Sequence, residues 1–305
     1  MSVYCIGDIR ADITADIVDC GPPVVTTDLG GTGGNVALML AKYGLDVKIV
    51  STVADDNVGR HLLKGYSAAG VDMSYVRITE NGFFNTLLTT RHGEELCSAI
   101  WTLPGVQYDG VRDIDFSRVS VKPSDIVHTT GACMENDTEG NRMLVDFLRS
   151  SKENGALISF DINARERFFG TAPDRIAALK ECADLADILT GSKTEFGLIG
   201  RGDEADVSGG KIILIRNQSD PVTLLCDRGK FLVPTYPVSV VNPMGAGDSF
   251  DAGFIFSYLQ GLDPLTCAKF ANYCAAYAIS QPVARQVPDA DKIKSFLNGS
   301  EEQLW

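Results

Sequence analysis

Apolar residues in this chain fall into two kinds of segment. Short unbroken runs rich in Val and Ile alternate with longer stretches whose apolar positions recur at helical spacing. Val3–Ile6 is such a run and predicts a buried strand ending at Gly7-Asp8. Val24–Leu29 is extended. It leads through Gly30-Gly31-Thr32-Gly33-Gly34-Asn35 into a helix carrying Val36, Leu38, Met39, Leu40 and Tyr43, which Gly44 stops. Val47–Val53 predicts another strand. Asp55 and Asp56 then read as capping acids for a helix from about Val58 to Ala69, closed by Gly70. Phe83–Arg91 and Leu96–Trp101, joined at His92-Gly93, predict a hairpin.

From Ile126 onward the alternation is regular. Predicted strands at Ile126–Thr130, Leu157–Phe160, Ile188–Thr190 and Ile212–Ile215 are separated by predicted helices at Thr138–Asn154, at Asp174–Ala183 and after Lys193-Thr194-Glu195. Strand–helix repetition implies crossovers and a largely parallel sheet. Val222–Cys226 and Phe231–Val233, about Arg228-Gly229, predict an antiparallel hairpin on its edge. A helix from Gly245 to about Gln260 follows. Asp263-Pro264 opens the next, alanine-rich helix through Ile279, and a short polar helix is expected in the tail from Lys292 to Trp305. No repeat, low-complexity tract or inter-domain linker stands out, so 1–305 is expected to be one α/β domain.

Composition narrows the function classes. With 305 residues, 45% of them hydrophobic, the chain can fill a core of that size. A net charge of −13 argues against nucleic acid or an anionic membrane as partner, and no apolar stretch reaches the length of a membrane span. The eight cysteines include no Cys-x-x-Cys pair and several sit in apolar runs, as expected of buried thiols in a reducing compartment. The three histidines are isolated from one another, so no zinc site is expected. A cytoplasmic location is the expectation.

The candidate chemistry lies at strand ends and helix starts. Asn242-Pro243-Met244-Gly245-Ala246-Gly247-Asp248-Ser249-Phe250 enters a helix with Asp248 in its first turn. Two glycines let a ligand approach the backbone, and the first helical amides lack internal partners. That is an anion site. A carboxylate beside an anion site makes sense as a base that takes a proton from a hydroxyl attacking a phosphoryl group. Asp12, just past the first strand, is either a loop acid or a holder of sugar hydroxyls. Gly30–Asn35 is no Walker A loop, lacking Gly-Lys-Ser/Thr. Its glycines suit a small polar ligand lying on the backbone, with Asn35 offering donor and acceptor.

Together these motifs resemble the ribokinase-like (PfkB) family of carbohydrate and nucleoside kinases, from Gly7 to about Pro288. The 242–250 motif with Ala252-Gly253 carries the resemblance. Gly30–Ala37 with Ala54–Gly59, and Asp161-x-Asn163-x-Arg165, support it. The resemblance implies a three-layer fold: a mostly parallel sheet between helices, with a small β-sheet lid from about 10–30 and 82–103 that also makes a homodimer contact. It implies an ATP-dependent phosphotransferase acting on an alcohol, with Mg2+. Asp248 would be the general base and the amides of Gly245, Ala246 and Gly247 the anion hole. Asp12, Gly31, Thr32, Gly33, Gly34 and Asn35 would bind a sugar, and Arg165 the substrate or γ-phosphate. Glu195 would reach magnesium through water or phosphate, and Asn272 would lie beside the adenine. A purine nucleoside or pseudouridine is the alternative acceptor, with Phe83, Phe84 and Trp101 as stacking candidates. A sugar-binding protein without turnover is the alternative outside catalysis.

Departures from the family pattern concentrate on the donor side. Ser192 replaces an Asn three residues before Glu195. Ile213–Pro221 lacks the two glycines of a nucleotide loop, and the crossover between Glu195 and Lys211 is short. Gln281–Arg285 lacks a Gly-Ala pair near a potassium site, which leaves a monovalent-cation requirement open, and Arg10 replaces an Asn near the sugar.

Overall fold

The structure, a computed structural model, describes residues 1–18, 21–80, 86–93, 95–101, 111–134, 137–202 and 207–299. In chain order the first half holds β1 (Val3–Ile6), β2 (Arg10–Asp16), β3 (Val24–Gly30), α1 (Thr32–Lys42), β4 (Val47–Ala54), α2 (Asn57–Ala68), β5 (Asp72–Thr79), β6 (Thr86–His92) and β7 (Glu95–Trp101). The middle holds β8 (Ile126–Thr130), α3 (Thr138–Glu153), β9 (Leu157–Asp161), α4 (Glu166–Phe169), α5 (Pro173–Leu185), β10 (Ile188–Ser192) and α6 (Lys193–Leu198). The last part holds β11 (Ile212–Asn217), β12 (Asp220–Cys226), β13 (Gly229–Val233), α7 (Ala246–Leu259), α8 (Pro264–Ile279) and α9 (Ala290–Leu297).

Nine strands form the main sheet in the order β13-β12-β11-β10-β9-β8-β1-β4-β5. From β11 to β5 every neighbouring pair is parallel, and the β12–β13 hairpin closes one edge antiparallel. The parallel strands are apolar on both faces, which is why they appear in sequence as unbroken runs rather than alternations. One face packs α3 and α5 through Leu144, Leu148, Leu179 and Cys182. The other packs α1 and α7 through Val36, Met39 and Ile255. A second sheet has the order β3-β2-β6-β7, in which β2 and β6 run parallel.

α7 is buried on nearly all sides, with Phe250, Ala252, Gly253, Phe254 and Ile255 enclosed. A Cβ on Gly253 would lie 2.9 Å from the Cys274 sulfur, so the missing side chain sets how closely α7 and α8 approach.

Two strands depart from the sequence expectation. The pattern gives no strand at 72–79, yet β5 is there. It is an edge strand, half-exposed along its length, so no apolar run marks it. Residues 10–16 carry no apolar run and read along the chain as a strand end, although the resemblance gives them to the small sheet; they form β2, tied into the second sheet on both sides. Helix α1 starts at Thr32, so Gly33, Gly34 and Asn35 belong to its first turn rather than to a loop. The altered 213–221 segment is no loop either. β11 runs to Asn217 and β12 begins at Asp220, with Gln218 at φ 52 taking the left-handed conformation that glycine would otherwise supply. The tail helix is not merely polar, because Phe296 is buried against Phe270 and Tyr273. Phe83, Phe84 and residues 300–305 lie outside the described residues.

Candidate active site

The start of β2, the carboxyl ends of β9, β10 and β11 and the first turn of α7 open on one cavity of about 900 Å³. Such a crevice at the strand ends is where open parallel sheets place their ligands. Gly245 caps α7 at φ 78, a conformation that disfavours any side chain, and no side chain caps the helix. The amides of Ala246, Gly247 and Asp248 therefore face the cavity without a helical acceptor.

Asp248 is 5% exposed. Its Oδ2 accepts a 2.6 Å hydrogen bond from Asn35 Nδ2. Burial pushes its carboxyl above the ordinary range, while the Asn35 bond and the charge of Arg165 pull it back. The acid limb of any reaction needing ionised Asp248 thus lies higher than for an exposed aspartate. Replacing Asn35 by Ala removes a pKa-lowering bond, so that limb is expected to move to higher pH in kcat/KM profiles. An unchanged limb would mean that Asn35 does not tune this group.

The acceptor end is built around a residue from far along the chain. Arg285, itself in the left-handed region at φ 62, enters from the loop before α9. Its Nη2 donates to Asp12 Oδ2, its Nε to Asn35 Oδ1, and its Nη1 to Asp28 Oδ2 at 3.1 Å. Since Asn35 Oδ1 is held by Arg285, the amide must turn its NH2 toward Asp248. A chain of contacts thus runs Asp12–Arg285–Asn35–Asp248. Burial raises the Asp12 carboxyl, and Arg285 and Arg10 oppose that shift. Asp12 Oδ1 is buried with no partner among the described residues, which leaves it open to a ligand hydroxyl. Asp8, which the sequence places only at a strand end, pairs with Arg10 and accepts from both the amide and the hydroxyl of Thr32.

The glycine stretch divides by role. Gly31, Thr32 and Asn35 line the cavity. Gly33 and Gly34 are not among the residues that line it. A Cβ on Gly33 would come within 3.0 Å of the Gly7 backbone, and the space beside Gly34 is filled by the Tyr66 hydroxyl, which donates to Gly30 O. Their bareness serves the packing of α1 against β1 and α2.

At the opposite end, Asn163 and Arg165 both have positive φ and flank Ala164. Arg165 is exposed and faces the same cavity. Glu195 clasps this turn. One carboxylate oxygen accepts from Ala164 N at 2.9 Å and the other from Ser192 N at 2.7 Å, the second bond completing a capping box on α6. Ser192, where an Asn was expected, keeps its place as the cap. Asn272 donates to the carbonyls of Val233 and Pro234, joining α8 to the end of β13, and also lines the cavity. Asp161, buried, pairs with Arg216 at 2.5 Å. Buried Asp251 accepts from Thr190, and burial together with the charge of Asp161 holds its carboxyl well above the usual range.

Residues 2–290 match the sequence profile described as pfkB family carbohydrate kinase. The chain belongs to that family. It is accordingly a carbohydrate kinase, a phosphotransferase with an alcohol group as acceptor. Among pfkB relatives, a 5-dehydro-2-deoxygluconokinase of Clostridium perfringens is 27% identical, over 90% of this chain and 85% of its own. An ATP-dependent ribose-1-phosphate kinase of Halopiger xanaduensis is 31% identical, over 88% of this chain and 86% of its own. A crystal structure of fructokinase with bound ATP from Xylella fastidiosa superposes with a TM-score of 0.81 at 21% identity, covering 98% of this chain and 99% of that one, and shares the fold.

Proposed function

We propose that this pfkB chain transfers the γ-phosphoryl group of ATP to a hydroxyl of a small sugar or sugar-like acceptor, with Asp248 as general base. The observation that carries this reading is a buried carboxylate with a raised pKa in the first turn of a helix whose opening amides have no cap. Asp248 takes the proton of the acceptor hydroxyl while that oxygen forms a bond to the γ-phosphorus. The bond from that phosphorus to the bridging oxygen breaks, and ADP leaves. The amides of Gly245, Ala246 and Gly247 hold the equatorial oxygens, where each key donor is worth about 3–4 kcal/mol. The free Oδ1 of Asp12 and the polar wall of Gly31, Thr32 and Asn35 receive the acceptor. Asn272 sits at the base end of the nucleotide.

Magnesium fits as an ion carried on the nucleotide phosphates. Both oxygens of Glu195 are engaged by backbone amides, and among the described residues no cluster of three or more His, Cys, Asp or Glu could hold a metal. When bound, it neutralises phosphate charge. Arg165 would meet the γ-phosphate or the acceptor, on a turn that Glu195 keeps in place.

The acceptor names of the relatives, a dehydro-deoxygluconate and ribose 1-phosphate, set the panel for the decisive assay. Purified protein is incubated with magnesium ATP and sugars, sugar acids, sugar phosphates and nucleosides, and products are read by mass spectrometry. A phosphorylated sugar-type product is expected. Product from nucleosides alone would select the alternative acceptor class, and sugar binding without any product would select a binding role.

The second sheet would act as a lid and dimer face. Its edge strand β3 exposes Val24 and Val25, and Ile17 and Val18 lie open beyond β2. An unpaired apolar edge of this kind is what a second copy covers. Light scattering should give a dimer mass, and Val25→Asp should give a monomer; a wild-type monomer would sink the idea. The cysteines among the described residues form no disulfide with one another, which supports a cytoplasmic location, checkable by fractionation. No helix among the described residues is long and apolar enough to cross a membrane.

A further inference from the structure

β11 delivers Arg216 to the cavity beside the first turn of α7. Asp161 Oδ1 accepts from its Nη2 at 2.5 Å, and the guanidinium carbon lies 5.5 Å from the centre of the Phe250 ring. These contacts fix the plane of the group. The remaining terminal nitrogen, Nη1, is buried and has no hydrogen-bond partner among the described residues; it is ion-paired with Asp251 at 3.9 Å. A Cβ on Gly247 would lie 2.8 Å from Nη1, so this nitrogen stands against the glycine whose amide opens α7. Buried donors in folded proteins are nearly always paired. A cationic donor with no hydrogen bond of its own, held rigid by Asp161 and Asp251 at an uncapped helix start, can still bond an anion there.

We propose that Arg216 is a catalytic residue whose Nη1 donates a charge-assisted hydrogen bond to a phosphoryl oxygen of the nucleotide, beside the amides of Ala246 and Gly247. The proposal rests on the phosphotransfer reading above. It gives a physical reason for the missing glycines of the donor loop, because a fixed guanidinium at the end of β11 can hold phosphates by charge where a glycine loop would do so with backbone amides. Asp161 is then a positioning residue, keeping the guanidinium plane so that Nη1 faces the helix. An ammonium would not replace the group, since a lysine supplies a point charge without the planar fork that binds Asp161 and phosphate together.

The test uses full-length protein and three substitutions, Arg216→Met, Arg216→Lys and Arg216→Ala, with thermal melts recorded for all. Calorimetric titration with magnesium ATP and, separately, with adenosine needs no knowledge of the acceptor. Arg216→Met is expected to weaken ATP binding by about tenfold or more while adenosine binding stays as in the wild type. With a productive acceptor, kcat is expected to fall by about 10³-fold, as for other arginines that stabilise a transferring phosphoryl group. Arg216→Lys should fall between the two, and added methylguanidine should restore part of the rate to Arg216→Ala. ATP binding and kcat within twofold of wild type in Arg216→Met would overturn the role. So would an equal loss of ATP and adenosine affinity, which marks a structural residue. If Arg216→Met does not fold, Arg216→Lys and the rescue decide: a wild-type rate in the lysine variant, or no rescue, overturns the proposal. Wild-type protein that binds no ATP would instead overturn the functional reading beneath it.

Discussion

An Asp248→Asn variant is expected to fold, to bind ATP as the wild type does, and to lose about 10³-fold or more in kcat. General-base catalysis by a positioned side chain contributes typically 10²–10⁴-fold, and Asp248 is the acid in the first turn of α7. The replacement keeps the shape, and its amide oxygen can still accept from Asn35. What it removes is the ability to take a proton. Stability should not suffer. The Asp248 carboxyl is raised by burial, so its ionised form is disfavoured in the fold, and a neutral amide relieves that penalty at neutral pH. Initial rates with melts on the same preparation check both halves. A variant as active as the wild type would remove Asp248 from the chemistry.

Replacing Arg285 by Met should have the largest effect on stability. The side chain is 6% exposed and is the shared donor for Asp12, Asp28 and Asn35. Breaking a buried ion pair from one side leaves an uncompensated charge and costs roughly 3–5 kcal/mol. The sign with pH follows from Asp12. Its carboxyl is already raised by burial, and Arg285 is the first of the groups that hold it down. Without Arg285 the folded-state pKa rises further, so ionising Asp12 in the folded protein costs more. The deficit should therefore grow as pH rises through the raised pKa of Asp12 in the intact protein, which lies above the ordinary 3.8, and shrink below it. Urea unfolding at pH 5 and pH 8 measures this, and Asp12→Asn in the same chain should recover much of the loss. Equal deficits at both pH values, or no recovery, would show that the pair does not behave as a buried charge couple. The acceptor KM should rise as well, because the Asn35 amide loses the contact that orients it.

The sequence spoke clearly wherever a function needs a local pattern. Glycines around an acid, at the start of a helix that follows a parallel strand, can be read from Asn242 to Phe250 without knowing what surrounds them, and unbroken apolar runs mark the buried strands. Two kinds of information were not legible. The first is partnership at a distance: Arg285 and Asp12 stand 273 positions apart, and nothing near either residue announces the other. Arg285 and Arg216 read only as departures from a pattern, yet each fills a space at the site. The second is what each glycine lies against. Gly31 and Gly33 look alike in sequence and both are pressed by backbone, a Cβ on Gly31 falling against the Asp8 carbonyl oxygen and one on Gly33 3.0 Å from Gly7, yet Gly31 also lines the cavity. Glu195 shows the same ambiguity for charge. Its oxygens are spent on two backbone amides, and the local capping pattern, Ser192 three residues before it, was the signal for that.

The reach of Arg285 has one more consequence. Asp12 and Asp28 belong to β2 and β3 of the second sheet, whereas Asn35 belongs to α1 beneath it, and one guanidinium holds all three. With the second sheet as the lid proposed above, it would be a latch between cover and floor. Lifting the second sheet away from the cavity would pull both carboxylates off Arg285 and release the amide that holds Asp248. Access of the acceptor and readiness of the base would then change in a single movement.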